Sequence, residues 1–100
     1  MENDKNKIIL VNIVEALVKL KAKGLMKSIE MCWCDKCFMD VCAITLNKFN
    51  PKYVTTTRGE LLAKISTYDH NYQSEMMVEI LKAMLIVKKS PRHGNTAAGS

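Results

Sequence analysis

The chain has 100 residues and a mass of 11.3 kDa, the size of one small domain. Hydrophobic residues make up 48% and charged residues 25%, a globular mixture that excludes an intrinsically disordered chain. With 4 Gly and 2 Pro, the composition excludes collagen-like and linker-like chains and argues against a turn-rich β-sandwich. The net charge of +5 favours anionic partners.

The first residues, MENDKNK, contain no apolar segment of the kind that a signal peptide carries, so none is expected. Charges interrupt every apolar run well short of the roughly 18 residues of a membrane span. We therefore expect a cytoplasmic protein with no membrane partner. Cytoplasmic thiols stay reduced, so the four cysteines, all between Cys32 and Cys42, indicate metal or redox chemistry before structural disulfides.

The first predicted helix covers Ile8 to Leu20, where ten of thirteen residues are apolar. Its polar residues, Asn12, Glu15 and Lys19, follow steps of three and four, which places them on one stripe of an otherwise apolar helix. Gly24 is the predicted end of this helix.

A second helix is predicted over Asp35 to Phe49, with its first residue as the N-cap and Pro51 preventing its continuation. Residues 52–57 include four consecutive β-branched side chains and predict an extended segment. A third helix is predicted from Thr57, because Thr57 and Glu60 have the spacing of a capping box.

The last predicted helix covers Met76 to Val87, where ten of twelve residues are apolar. It is expected to begin near Asp69 or Asn71, and Pro91 is expected to stop it.

These elements predict an all-α fold of four to five helices in a single domain of residues 1–90, followed by a disordered tail of residues 91–100. The first and last helices are apolar around most of their circumference. Either they are two central core helices that the others surround, or their excess apolar faces meet a second copy of the chain. We favour an intertwined symmetric homodimer, because too few other elements remain to cover both helices.

The cysteine cluster, defined as Cys32, Cys34 and Cys37, has the pattern C-x-C-x-x-C. Three thiolates within six residues can converge on one ion, and soft sulfur ligands favour Zn²⁺ over Mg²⁺ or Ca²⁺. Structural zinc takes four ligands. The fourth stays open here between Cys42, His70, His93, a carboxylate, water and a group of a partner chain. Cys42 fits a core position better, because it lies in an apolar run.

Two other interpretations of the cluster stay open. Residues 33–37 read W-C-x-x-C, a thioredoxin-like redox signature, but that signature follows a strand and no such strand is predicted. The cysteines can also be small buried hydrophobic side chains without chemistry.

The central part of the chain, residues 41–59, contains no acidic residue but includes Lys48, Lys52 and Arg58. Arg58 stands at the start of a predicted helix, where free N–H groups and the helix dipole attract anions, and Tyr53 offers a ring for stacking on a base. These features predict a phosphate or nucleotide site. The alternative is a solvated loop in which a threonine only caps a helix.

Three consecutive motifs resemble the late competence development protein family, ComFB. They are C-x-C-x-x-C at the cluster, D-V-x-A from Asp40, and L-N-x-x-x-P-x-Y-V-T from Leu46, with Gly59 following. The likeness extends roughly over residues 8–90 and is most specific over 32–59. It implies a small all-helical symmetric homodimer and zinc at the cluster, and cyanobacterial relatives are receptors for cyclic dinucleotides, above all cyclic di-GMP.

The resemblance and the basic segment together give a set of candidate residues for a cyclic dinucleotide: Asp40, Asn47, Lys48, Lys52, Tyr53, Thr55 and Arg58. Pro51 and Gly59 also match the shared motif. One departure concerns Asn50, which stands where cyanobacterial members often have the first of two prolines.

The expected function is therefore that of a regulatory protein with a structural zinc ion and a cyclic di-GMP site. No Ser–His–acid set, paired carboxylates or Gly-rich phosphate loop is visible in the sequence, so no catalytic activity is expected. The alternatives are a zinc-stabilised adaptor without a nucleotide ligand and a thiol–disulfide redox protein. Nucleic-acid binding is not expected, because the positive charge is spread along the chain and shows no basic face.

Overall fold

The computed structural model describes residues 7–89. Within them, the chain forms two short strands and four helices, in the order β1 (Ile8–Asn12), α1 (Ile13–Lys27), α2 (Asp35–Leu46), β2 (Tyr53–Thr56), α3 (Thr57–Ser66) and α4 (His70–Lys89). The protein is therefore mostly helical, as expected, but it also contains a small sheet. None of the described helices is both long enough and apolar enough to span a membrane. The expected tail, residues 91–100, and Pro91 lie outside the described residues.

The core is a three-helix arrangement in which α2 packs against both α1 and α4. Each helix contributes one apolar face, because its buried positions recur every three or four residues. On α1 this face runs through Val14, Val18, Ala22 and Met26. The faces of the other two helices are Cys37, Val41, Cys42 and Thr45 on α2, and Met76, Ile80, Ala83, Met84 and Val87 on α4. The core position expected for Cys42 is confirmed.

The prediction of a helix over Ile8 to Leu20 is wrong in its first part, because Ile8–Asn12 is a strand. It pairs antiparallel with β2, with Val11 opposite Val54 and Asn12 opposite Tyr53. The first four residues of this segment are apolar and three of them are β-branched, which fits a strand as well as a helix. Its pairing with β2, which is distant in the sequence, decides between the two structures. The extended segment expected from residue 52 is confirmed as β2, and the all-α prediction is corrected.

The side chain of Asn12 joins the sheet to the helices. Its Oδ1 atom accepts hydrogen bonds from the N–H of Val14 (3.1 Å) and from the N–H of Lys52 (2.9 Å). The first bond caps α1, and the second holds the loop that leads into β2. The N–H of Ile13 also donates to the carbonyl of Lys52 at 2.7 Å. A residue predicted to lie mid-helix is therefore the N-cap of α1.

Helix ends also differ from the prediction. Gly24 does not end α1, which continues to Lys27, and no described glycine has a positive φ. The N-cap of α2 is Cys34 instead of Asp35, and the helix ends at Leu46 instead of Phe49.

The third helix begins at Thr57 as predicted, but Thr56 caps it. The Oγ1 of Thr56 accepts from the N–H of Gly59 at 2.9 Å, so the predicted capping box starts one residue too late. The last helix, α4, begins at His70, between the two expected starting points.

Helix α3 packs on the two strands and contributes no buried side chain. Its large apolar side chains are exposed: Leu61 by 61%, Leu62 by 56% and Ile65 by 56%. We call β1, β2 and α3 the sheet–helix unit. Helix α4 is also apolar on its outer side, where Leu85 and Ile86 are exposed. Exposed apolar surface of this kind marks an interaction site more often than a solvated face.

Candidate metal centre

The cysteine cluster forms where the loop after α1 meets the start of α2. Cys32 and Cys34 lie on the loop and Cys37 lies in the first turn of α2. The three Sγ atoms are all within 4.8 Å of one another. Cys32 and Cys34 are exposed, whereas Cys37 is only 1% exposed and belongs to the core. Helix packing thus fixes the position of one of the three thiols, and the other two are open to solvent.

Local backbone geometry brings the sulfurs together. Cys34 is extended (φ −65°, ψ 170°), and its carbonyl accepts the N–H of Phe38 at 2.8 Å, which closes the first turn of α2. The turn places Cys37 beside the loop. On the other side, the Lys27 ammonium lies 5.6 Å from the centre of the Trp33 ring, a cation–π contact that holds the loop against the end of α1.

The surroundings shift the pKa values of Cys34 and Cys37 in opposite directions. The pKa of Cys34 is lowered, chiefly because the N–H of Cys37 points towards its sulfur from the first turn, although this contact does not close a hydrogen bond of ordinary geometry. Burial raises the pKa of Cys37 to about 12, and the neighbouring sulfurs of Cys34 and Cys32 add to the effect. In the metal-free protein Cys37 therefore remains a thiol at neutral pH.

The cluster fits a soft metal ion. Zinc binds thiolate sulfur at about 2.3 Å, so two sulfurs of a tetrahedral site stand about 3.8 Å apart. Sulfurs already within 4.8 Å reach this spacing by small side-chain rotations. Of the candidates for a fourth ligand, neither Cys42 nor His70 joins the cluster in the part of the chain that the structure describes. His93 lies outside it.

Metal affinity at the cluster is expected to rise with pH. Each thiol that binds as a thiolate releases its proton, so protons compete with the metal. Because the pKa of Cys37 is about 12, this residue alone releases one proton per bound ion at every pH near neutrality. The apparent zinc affinity should increase at least about tenfold per pH unit between about pH 6 and pH 8. Competition against a chelator of known affinity at several pH values measures this slope, and an affinity independent of pH would contradict thiolate ligation.

The residues expected to bind a nucleotide do not form one site. Lys48 and Lys52 line an open cavity of about 420 Å³ between the loop after α2 and the start of α4. Five other candidates do not line this cavity: Asp40, Asn47, Tyr53, Thr55 and Arg58. Asp40 pairs with Lys36 at 3.1 Å within α2, and its second carboxylate oxygen is buried without a partner. The others are exposed.

The cavity also has residues that the sequence did not indicate. The rings of Phe49 and Tyr72 meet edge to face, with centroids 5.8 Å apart and an angle of 70°. Both rings line the cavity, together with the carboxylates of Asp69 and Glu75. Phe49 and Tyr72 are far apart in the sequence, and only the packing of α4 beside the loop brings them together. No local pattern could have found this pair.

Known proteins are similar to this chain in sequence and in fold. A family model described as late competence development protein ComFB matches residues 11–91. The chain belongs to the ComFB family. The competence protein ComFB of Bacillus subtilis (strain 168) is 32% identical to it over 83 residues, which are 82% of this chain and 85% of that protein. The resemblance found in the sequence is thereby confirmed.

The fold is similar as well. A solved structure, described as a structural characterization of the late competence protein ComFB from Bacillus subtilis, superimposes with a TM-score of 0.75 at 32% identity. The match covers 83% of this chain and 92% of that one. The two chains therefore share one fold over most of their length.

Proposed function

We propose that this member of the ComFB family is a non-enzymatic regulatory protein of the late-competence type, and that its cysteine cluster holds a structural zinc ion. The proposal rests on one observation above all, the three Sγ atoms within 4.8 Å of one another. Zinc at this position joins the loop after α1 to the first turn of α2. It compensates for a small core, since a chain of this size buries too little apolar surface for a wide margin of stability.

The same protein acts as a cytoplasmic homodimer. The exposed apolar side chains of α3 support this proposal, because the helix contributes nothing to the core of its own chain. A symmetric copy would cover them, as apolar faces in homodimers are covered. Native mass spectrometry of the full chain tests both parts. We expect two chains with about one zinc ion each, and a metal-free monomer would overturn the proposal.

A second candidate function is the binding of cyclic di-GMP, and the cavity beside the loop after α2 favours it. Its volume of about 420 Å³ lies in the range of small-molecule pockets, about 300–1,000 Å³. Lys48 and Lys52 supply positive charge for the phosphates, and the rings of Phe49 and Tyr72 offer stacking surface. The carboxylates of Asp69 and Glu75 only accept hydrogen bonds. A guanine edge offers two neighbouring N–H donors to such a group, which favours cyclic di-GMP over cyclic di-AMP.

The double variant Lys48→Ala, Lys52→Ala is expected to bind cyclic di-GMP more than tenfold more weakly than the original chain. Each lost hydrogen bond to a charged group costs about 1.5–3 kcal/mol. Titration calorimetry measures the effect, with cyclic di-AMP as the competing ligand and Lys64→Ala, an exposed lysine outside the cavity, as the control. If Arg58→Ala weakens binding and the double variant does not, the nucleotide binds at the start of α3 instead. Absence of binding at high micromolar concentration would exclude this function.

A further inference from the structure

The cysteine cluster is open to solvent on one side. Cys32 and Cys34 are exposed, and Trp33 between them is 53% exposed. A closed structural zinc site surrounded by protein is protected from oxidants, because they cannot reach its sulfurs. Here a small oxidant in solution reaches two of the three sulfurs directly.

The geometry also selects the pair of cysteines that can form a disulfide. Cys34 is the N-cap of α2 and Cys37 lies three residues further, in its first turn. Their Sγ atoms are among the three that lie within 4.8 Å of one another, and a bond of about 2.05 Å needs only side-chain rotation and a small movement of the loop. The Sγ atoms of Cys32 and Cys34 also lie within 4.8 Å of each other, but only one residue separates these two cysteines, so a disulfide between them closes a smaller and more strained ring.

We propose that Cys34 and Cys37 are a thiol oxidation site, and that the disulfide between them excludes the metal. The inference rests on the proposed zinc site. A sulfur in a disulfide has no thiolate charge to offer a metal, so oxidation leaves Cys32 as the only cysteine ligand in the described part of the chain. A single thiolate does not hold zinc in a structural site.

The reaction balances with hydrogen peroxide as the oxidant. The Cys34 sulfur attacks one peroxide oxygen, so that an S–O bond forms, the O–O bond breaks and the departing hydroxide takes up a proton to become water. The Cys37 sulfur then attacks the Cys34 sulfur. The S–S bond forms, the S–O bond breaks, and the second hydroxide leaves as water, with the Cys37 proton in the metal-free chain or with a proton from solvent where the sulfurs are thiolates. Two thiols lose two electrons and two protons, peroxide becomes two water molecules, and a dithiol reductant reverses the change.

Oxidation changes which cysteines are joined to one another at the start of α2. Zinc joins three positions, Cys32, Cys34 and Cys37, whereas the disulfide joins only the last two. Oxidation therefore releases the part of the loop that contains Cys32, while the first turn of α2 stays closed. Ile29 and Met31 precede Cys32, and their partly buried side chains pack against the core. After oxidation, Cys32 no longer connects this segment to the metal site.

The experiment treats the zinc-loaded full chain with hydrogen peroxide, measures free zinc with a chromogenic chelator and maps disulfides by peptide mass spectrometry. We expect one zinc ion released for each Cys34–Cys37 disulfide and full recovery of zinc binding after dithiothreitol. Cys42→Ala, which removes the buried fourth cysteine, should respond identically. Retention of zinc under peroxide, or release with a Cys32–Cys34 or intermolecular disulfide, would overturn the proposal.

A failure of this proposal can be distinguished from a failure of the zinc proposal. A chain that takes up no zinc at all contradicts the proposed function, and this is measured before peroxide is added. The pairing is then tested on Cys32→Ser, which keeps Cys34 and Cys37 but lacks one ligand. We expect the Cys34–Cys37 disulfide to form in this variant too, and its absence would count against the oxidation site whatever the metal content.

Discussion

Replacing Cys37 by serine is expected to abolish zinc binding and to lower the melting temperature by about 15–30 °C at saturating zinc. Cys37 is the ligand that packing fixes, being only 1% exposed, so its loss removes the position around which the other two sulfurs assemble. A ligand present at about 1,000 times its Kd stabilises the folded state by about 4 kcal/mol. For a domain of this size, each kcal/mol corresponds to about 4–8 °C. Elemental analysis and differential scanning calorimetry measure the two effects.

Cys42→Ala is the matched control for this variant. Cys42 lies on the same helix and is buried like Cys37, with 3% of its surface exposed, but it does not join the cluster. We expect this variant to keep about one zinc ion per chain and to lose only about 1 kcal/mol of stability, as for an ordinary small change in a core. If Cys37→Ser keeps its zinc and its melting temperature, the cluster is not a structural metal site.

The double variant Leu62→Asp, Ile65→Asp is expected to be monomeric at concentrations at which the original chain is a dimer. The two side chains are three residues apart on α3, so they lie on one face, and both are 56% exposed in a single chain. Covering each of them is worth about 1.5–3 kcal/mol, and aspartate adds the cost of a charge in an apolar interface. The dimer dissociation constant should rise more than 100-fold. Sedimentation equilibrium over a range of concentrations measures it.

Lys64→Ala provides the comparison on the same helix. The side chain of Lys64 is exposed and pairs with Glu60 at 3.4 Å, so its removal should leave the dimer intact. Circular dichroism should show unchanged helix content in both variants, because α3 contributes no buried side chain. A double variant that remains dimeric would place the interface elsewhere, with the outer side of α4 near Leu85 and Ile86 as the next candidate.

Local signals allowed most of the helices and the convergence of the cysteine cluster to be predicted. The three cysteines lie within six residues, so their spacing alone indicated that they converge, and the structure brings their sulfurs together. Helix α4 was predicted well because twelve residues of its sequence repeat one apolar pattern and two lysines follow them.

Features that depend on distant partners could not be predicted in the same way. The composition of Ile8–Asn12 fits a helix as well as a strand. The segment forms a strand because it pairs with Tyr53–Thr56, which is distant in the sequence. The N-caps of α2 and α3 each lie one residue before the expected position, since several neighbouring residues can cap and the turn geometry selects among them. The cavity between Phe49 and Tyr72 exists only through tertiary packing.

Three hydrogen bonds around Asn12 link regions for which separate functions are proposed. Lys52 is bonded through its N–H to the Asn12 side chain and through its carbonyl to Ile13, while Asn12 itself caps α1. Lys52 also lines the cavity and immediately precedes β2, which carries α3. A molecule that shifts the Lys52 backbone on entering the cavity is therefore expected to move the sheet–helix unit relative to the three-helix core. Occupancy of the cavity and association of two chains would then be thermodynamically coupled, each altering the free energy of the other by the same amount.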